Sequence, residues 1–192
     1  MSLAQVQAFV GETEVAALDH ERDLIERAKQ DPEAFAALYQ RHHRMLLNYV
    51  YRRTGNVHAT EDLVADVFLI VLRSLSGYRY RGVPLRFWLL RIATNAVNRW
   101  ARRHRRRMRE LMEVDQLPGK TVSCSSEEVD REYLACSMLS LPPRYQSVLS
   151  LYHIEGLSVK ETAAVIGCRE GTVRSRLTRA RNALRAKLNG RR

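Results

Sequence analysis

Apolar positions recur along most of the chain at the three-to-four spacing of helices. Phe35, Leu38, Tyr39, Leu46, Tyr49 and Val50 form one stripe over about 33–53. Asp31-Pro32 suits the start of that helix, and Thr54-Gly55-Asn56 breaks it. A second run, about 59–75, carries Leu63, Val67, Ile70 and Val71 on one side. Thr60 is expected to cap it, with Glu61 and Asp62 in the first turn, where the helix dipole favours acid. Its second half is apolar almost all round, the pattern of a buried core helix. A third run, about 85–110, turns Trp88, Leu89, Ile92, Ala93, Ala96 and Trp100 inward. A short helix over 20–29 precedes these, and residues 1–19, weakly periodic, read as a loose arm. No stretch alternates like a strand, so the expected fold class is all-α.

The carboxy-terminal pattern is more specific. Helices are expected over about 129–140 and from Pro142-Pro143 to about His153. Ser158-Val159-Lys160-Glu161 is a capping box, and Gly167 ends its helix where a left-handed residue is needed. A new helix starts around Glu170, with Val173, Leu177, Ala180 and Leu184 on its inner stripe. The opposite face holds Arg174, Ser175, Thr178, Arg179 and Asn182, side chains suited to base edges and phosphates in a major groove. Capping box, turn glycine and arginine face together describe a helix-turn-helix. Set against it stands a soluble helix that is polar outside for solubility alone. Residues 110–130, with Leu117-Pro118-Gly119 and the serines around Cys124, read as a flexible linker. The expected organisation is an arm (1–19), a first helical domain (20–109), the linker and a second domain (131–192).

Charge sharpens this picture. The net charge of +11 is clustered: seven of the eleven residues from Arg99 to Arg109 are arginine. So dense a run, including Arg102, Arg103 and Arg106, lacks local acids to neutralise it and points to phosphate. Upstream, the segment 76–84 interleaves Tyr78 and Tyr80 with Arg79 and Arg81 between glycines. It reads either as a platform for unstacked bases or as a surface turn whose tyrosines pack on neighbouring helices. The longest apolar run, Val67 to Leu72, is far short of a membrane span, and the acidic first twenty residues do not resemble a signal peptide. Three cysteines without paired spacing suit reduced thiols in a cytoplasm. Neither a metal-binding pattern, a cofactor motif nor a nucleophile motif is present, which argues against an enzyme.

These motifs, in this order, resemble the small two-domain sigma factors of bacterial RNA polymerase, the extracytoplasmic-function group. In the first domain the resemblance rests on Asp31-Pro32-Glu33-Ala34-Phe35, Glu61-Asp62-Leu63-Val64, Pro84-Leu85, Trp88-Leu89 and Arg91-Ile92-Ala93 with Asn95. In the second it rests on Leu141-Pro142, Glu155-Gly156-Leu157-Ser158, Ile166-Gly167, Gly171-Thr172-Val173 and Ser175-Arg176-Leu177. It covers about residues 25–188.

The resemblance implies a promoter-specificity subunit without catalysis of its own, whose partners are core RNA polymerase, promoter DNA and an anti-sigma protein. It implies that Glu61, Asp62 and Asp66 meet the polymerase, with Ala65 standing where a glutamine is common. It implies that Tyr78, Tyr80, Arg81, Asn95, Arg99, Arg102, Arg103 and Arg106 serve the minus-ten element. Arg169, Arg174, Ser175, Arg176, Thr178 and Arg179 would serve the minus-thirty-five element. The linker acids Glu127, Glu128 and Asp130 fit a nucleic-acid mimic or, equally, a solvated tether. The rival of a different class is a stand-alone helix-turn-helix regulator that binds DNA without polymerase.

Overall fold

The computed structural model describes residues 12–112 and 126–189, and among them every regular element is helical. The first body contains α1 (Glu12–Ala28), α2 (Pro32–Thr54), α3 (Val57–Ser74), a short 3-10 turn (Leu75–Gly77) and α4 (Leu85–Met112). The second contains α5 (Ser126–Ser140), α6 (Pro143–Leu149), a π-turn (Ser150–Ile154), α7 (Val159–Ile166) and α8 (Glu170–Asn189). Two expectations shift at their edges. The helix anticipated from His20 begins at Glu12, inside the expected arm, and α4 and α5 extend into both ends of the expected linker. The rest of the arm and linker, 1–11 and 113–125, lies outside the described residues.

Local chemistry sets the boundaries. Asp31 caps α2 by accepting the Glu33 amide at 2.9 Å, and Gly55, at φ 62°, closes it with a bond to the Tyr51 carbonyl. The capping expectation for Thr60 is corrected: Asn56 caps α3, accepting the Ala59 amide at 2.8 Å. With Gly55 left-handed, Asn56 is already the extended residue from which the helix launches, one turn before Thr60. The Thr60 hydroxyl is instead buried, donating to the Asn56 carbonyl at 2.7 Å and pairing with the Thr54 hydroxyl at 2.8 Å. The helix expected to run to His153 changes character at Ser150, where the Glu155 amide reaches back five residues to the Ser150 carbonyl.

The first core is built from Leu38, Leu46, Val50, Val67, Val71, Leu89, Leu90 and Val97, each essentially inaccessible. Each such side chain contributes about 1.5–3 kcal/mol relative to exposure. The second core holds Leu141, Val148, Leu149, Ala163, Val173, Leu177 and Ala180. Leu151, Leu157 and Val165 join the first core rather than the second, so the two bodies share an apolar seam.

Polar groups cross the same seam. Arg53, 2% exposed, donates through Nη1 to the Tyr49 hydroxyl at 2.9 Å and through Nη2 to Asn98 Oδ1 at 2.7 Å and the Pro143 carbonyl at 3.4 Å. Ser147 Oγ donates to Asn98 Oδ1 at 3.3 Å, and Arg105 donates to the Leu141 carbonyl. At Gly55 an added Cβ would stand 2.6 Å from a Leu139 methyl, so the backbone itself meets α5.

Candidate nucleic-acid and protein interfaces

The turn between α7 and α8 forms as the local signals require. Ser158 Oγ accepts the Glu161 amide at 3.2 Å while Glu161 Oε2 accepts the Ser158 amide at 2.7 Å, and Gly167 ends α7 at φ 77°. Val173, Leu177 and Ala180 anchor α8 to the second core, which leaves Arg174, Ser175, Thr178 and Arg179 exposed on its far side. Arg174 is held by Glu170 at 3.2 Å. The Ser175 and Thr178 hydroxyls donate back to the Thr172 and Arg174 carbonyls at 3.1 and 3.2 Å, so outward they offer acceptor lone pairs. Arg169 is exposed where the helix starts, its carbonyl accepting the Thr172 and Val173 amides. Arg176 departs from this group: it is half-buried and faces the seam, lining a cavity with Asn98 and Arg102 of α4.

On α4, Asn95, Arg99, Arg102, Arg103 and Arg106 are all exposed. Arg99 and Arg103 stand across a groove from α3. Asp62 and Asp66 line a cavity of about 510 Å³ there with Trp100, Arg103, His104 and Arg107, and Trp100 stacks on His104 at 4.9 Å. The next cavity along, about 320 Å³, runs between Asp66, Leu69, Arg73 and Arg99. Asp62 and Asp66 of the set that the resemblance assigns to polymerase, and Arg99 and Arg103 of the minus-ten set, are therefore neighbours on one groove, while Glu61 is exposed outside it. Among the described residues no ion pair joins Asp62 or Asp66 to Arg99 or Arg103.

The loop before α4 packs its aromatic side chains against the first core. The Tyr78 ring lies 4.5 Å from Trp88, and both Tyr78 and Tyr80 are half-buried against the first core. Burial, then the nearby Glu21 carboxylate, pushes the Tyr78 hydroxyl pKa up. The tyrosines pack inward; the exposed edge of the loop is Arg79, Arg81, Gly82 and Val83.

Two features were not anticipated. Leu69 and Leu72 of α3 are 49% and 53% exposed, so the pattern of a buried core helix does not hold on this side of its apolar second half. Leu69 lies seven residues after Asp62 and three after Asp66, a spacing that sets all three on one stripe. The second is Glu21, 7% exposed, whose Oε2 accepts the Leu85 amide at 3.0 Å and whose Oε1 lies 3.8 Å from His42 Nε2. Nothing local marks Glu21, since its partners are distant in sequence.

Comparison with known proteins gives two family matches: Sigma-70 region 2 over residues 38–107 and Sigma-70, region 4 over residues 131–184. The chain is similar to the ECF RNA polymerase sigma factor SigE of Mycolicibacterium smegmatis, 37% identical over 77% of this chain and 59% of that protein. It spans somewhat under two thirds of the length of that relative. It is also similar to the RNA polymerase sigma factor YlaC of Bacillus subtilis, 31% identical over 77% of this chain and 88% of that protein. Among solved structures it resembles CnrH, seen in complex with the cytosolic domain of CnrY. The TM-score is 0.64 at 25% identity, over 88% of this chain and 97% of CnrH.

Proposed function

Since the chain belongs to the sigma-70 family, in its extracytoplasmic-function group, we propose that it is a promoter-specificity subunit that binds core RNA polymerase, recognises two promoter elements and promotes melting. The observation that carries this reading is the pairing of two surfaces in one chain. A capped helix-turn-helix presents Arg174, Ser175, Thr178 and Arg179 to solvent. The first body presents an acidic and apolar stripe, Asp62, Asp66 and Leu69, beside the arginines of α4. A stand-alone DNA-binding regulator has no use for the second surface.

In this reading α8 reads the upstream element through Arg174, Ser175, Thr178 and Arg179, with Arg169 on a phosphate. Each bidentate contact between a side chain and a base is worth about 1–3 kcal/mol of discrimination. Arg99, Arg103 and Arg106 hold phosphates near the downstream element, while the exposed edge of the 78–84 loop, with Arg81, meets the unpaired strand. Unstacking a base costs a few kcal/mol, offset by contacts to the flipped base. The α3 stripe is the polymerase contact. The chain performs no chemistry itself and acts in the cytoplasm, with polymerase and DNA. An anti-sigma protein is a further proposed partner, as the resemblance to the extracytoplasmic-function group implies.

The test is DNA binding by fluorescence anisotropy with and without core enzyme. Core is expected to convert weak, salt-sensitive binding into promoter-specific binding. Equal affinity and specificity without core would favour the stand-alone regulator.

A further inference from the structure

The seam between the two bodies concentrates positive charge that no acid among the described residues neutralises. A cavity of about 300 Å³ opens there, with Arg102 of the first body on one wall and Arg144 and Arg176 of the second on the other. Asn98 and Ser147 supply its neutral polar groups, and among the described residues no carboxylate lines it. Among the described residues neither Arg102 nor Arg176 takes part in an ion pair or hydrogen bond, and Arg144 only lies over the Tyr145 ring at 5.1 Å. Directly behind stands the guanidinium of Arg53, a residue only 2% exposed. It bonds Asn98 and Pro143, both of which line the cavity, and its Nε has no partner. A buried cation held by neutral oxygens and the Tyr49 ring, with no carboxylate partner among the described residues, leaves an unmet electrostatic demand, and three further guanidiniums at the mouth add to it.

We propose that this seam is an anion site that takes a phosphate group and, when filled, holds the two bodies together. Guanidinium groups match phosphate oxygens in charge and in paired hydrogen-bond geometry, better than they match chloride. The volume sits at the small end of ligand pockets, and a partner helix, about 10 Å across, does not fit it. Because Arg102 comes from one body and Arg144 and Arg176 from the other, the ligand bridges them. A filled site also removes Arg102 and Arg176 from contact with DNA elsewhere. The phosphate belongs either to a free diphosphate-type ligand or to a nucleic-acid strand.

The experiment titrates the full chain with inorganic pyrophosphate at ionic strength held constant with sodium chloride, following binding by calorimetry and Tm by circular dichroism. It needs neither polymerase nor promoter, so it stands or falls separately from the promoter-specificity reading. Saturable binding with a rise in Tm is expected. Arg144→Gln is expected to weaken it about tenfold or more, the usual loss for a hydrogen bond to a charged group. Arg185→Gln, exposed on α8, serves as the control and leaves the affinity unchanged. A Tm for Arg144→Gln without pyrophosphate equal to that of the parent shows that the fold is intact. A second arm measures binding of a labelled DNA duplex. Loss of duplex affinity in Arg144→Gln, with displacement of duplex by pyrophosphate, assigns the site to strand phosphate. Unchanged duplex affinity with lost pyrophosphate binding assigns it to a free ligand. Pyrophosphate acting no differently from chloride, or binding Arg144→Gln and Arg102→Gln as tightly as the parent, would overturn the proposal.

Discussion

The Glu21 carboxylate accepts the backbone amide of Leu85 at 3.0 Å, joining α1 to the first turn of α4 across 64 positions of sequence. That amide is one of the donors left open at any helix start, and here it is buried. The bond also fixes where the 78–84 loop re-enters the helix. Glu21→Ala is expected to destabilise the chain by about 1.5–3 kcal/mol, and Glu21→Gln, which keeps an acceptor oxygen, by less. Urea unfolding of the two variants measures the difference; equal losses would show that the bond contributes nothing beyond packing.

His42, beside Glu21, gives the fold a defined acid sensitivity. Burial first, and the Arg41 charge second, lower its pKa from 6.5 to about 4. Between those values the unfolded chain takes up a proton that the folded chain refuses, so stability falls as pH drops through that window. The full loss is about 3 kcal/mol. Carboxylates titrate in the same range, so the relevant quantity is the difference between the parent and His42→Gln. The variant is expected to lose less stability from pH 6.5 to 4.

Leu69 is half exposed on the Asp62 and Asp66 stripe, so replacing it with aspartate leaves folding within about 0.5 kcal/mol of the parent. Binding to core polymerase is expected to fall sharply. Co-elution of core enzyme with the Leu69→Asp chain at parental levels would remove α3 from the interface.

The two arginine sets separate by their response to salt and sequence. Arg179→Ala is expected to relax discrimination at one upstream position by about 1–3 kcal/mol. Replacing Arg99, Arg103 and Arg106 with glutamine weakens binding on all sequences. It also flattens the dependence on log salt by about 0.9 for each phosphate no longer neutralised. Anisotropy titrations over a salt series distinguish the two.

Much of this architecture is legible in the sequence because its causes are local. Ser158 and Glu161 satisfy each other's backbone amides and Gly167 closes the same helix on the Ala163 carbonyl, all within ten residues, so spacing alone reveals the turn. Thr60 misled because a hydroxyl before two acids resembles a cap. The deciding feature, the left-handed Gly55 next to Asn56, is a conformation rather than a residue type. Nothing local marks Arg53 at the basic end of α2; only the approach of Asn98 and Pro143, 45 and 90 positions away, makes it a buried seam residue. Leu69 and Leu72 were hidden for the opposite reason: an apolar residue does not announce that its neighbour is missing. Arg176 sits one position from the outward Ser175, and a single helical step turns it from the exposed face to the seam.

That this chain confers promoter specificity on polymerase is tested most directly by run-off transcription from a genomic fragment library with purified core enzyme. Transcripts starting at a small set of sites are expected only when the chain is added, and are expected to vanish with Leu69→Asp. Transcripts that are the same with and without the chain, alongside tight sequence-specific DNA binding by the chain alone, would contradict it.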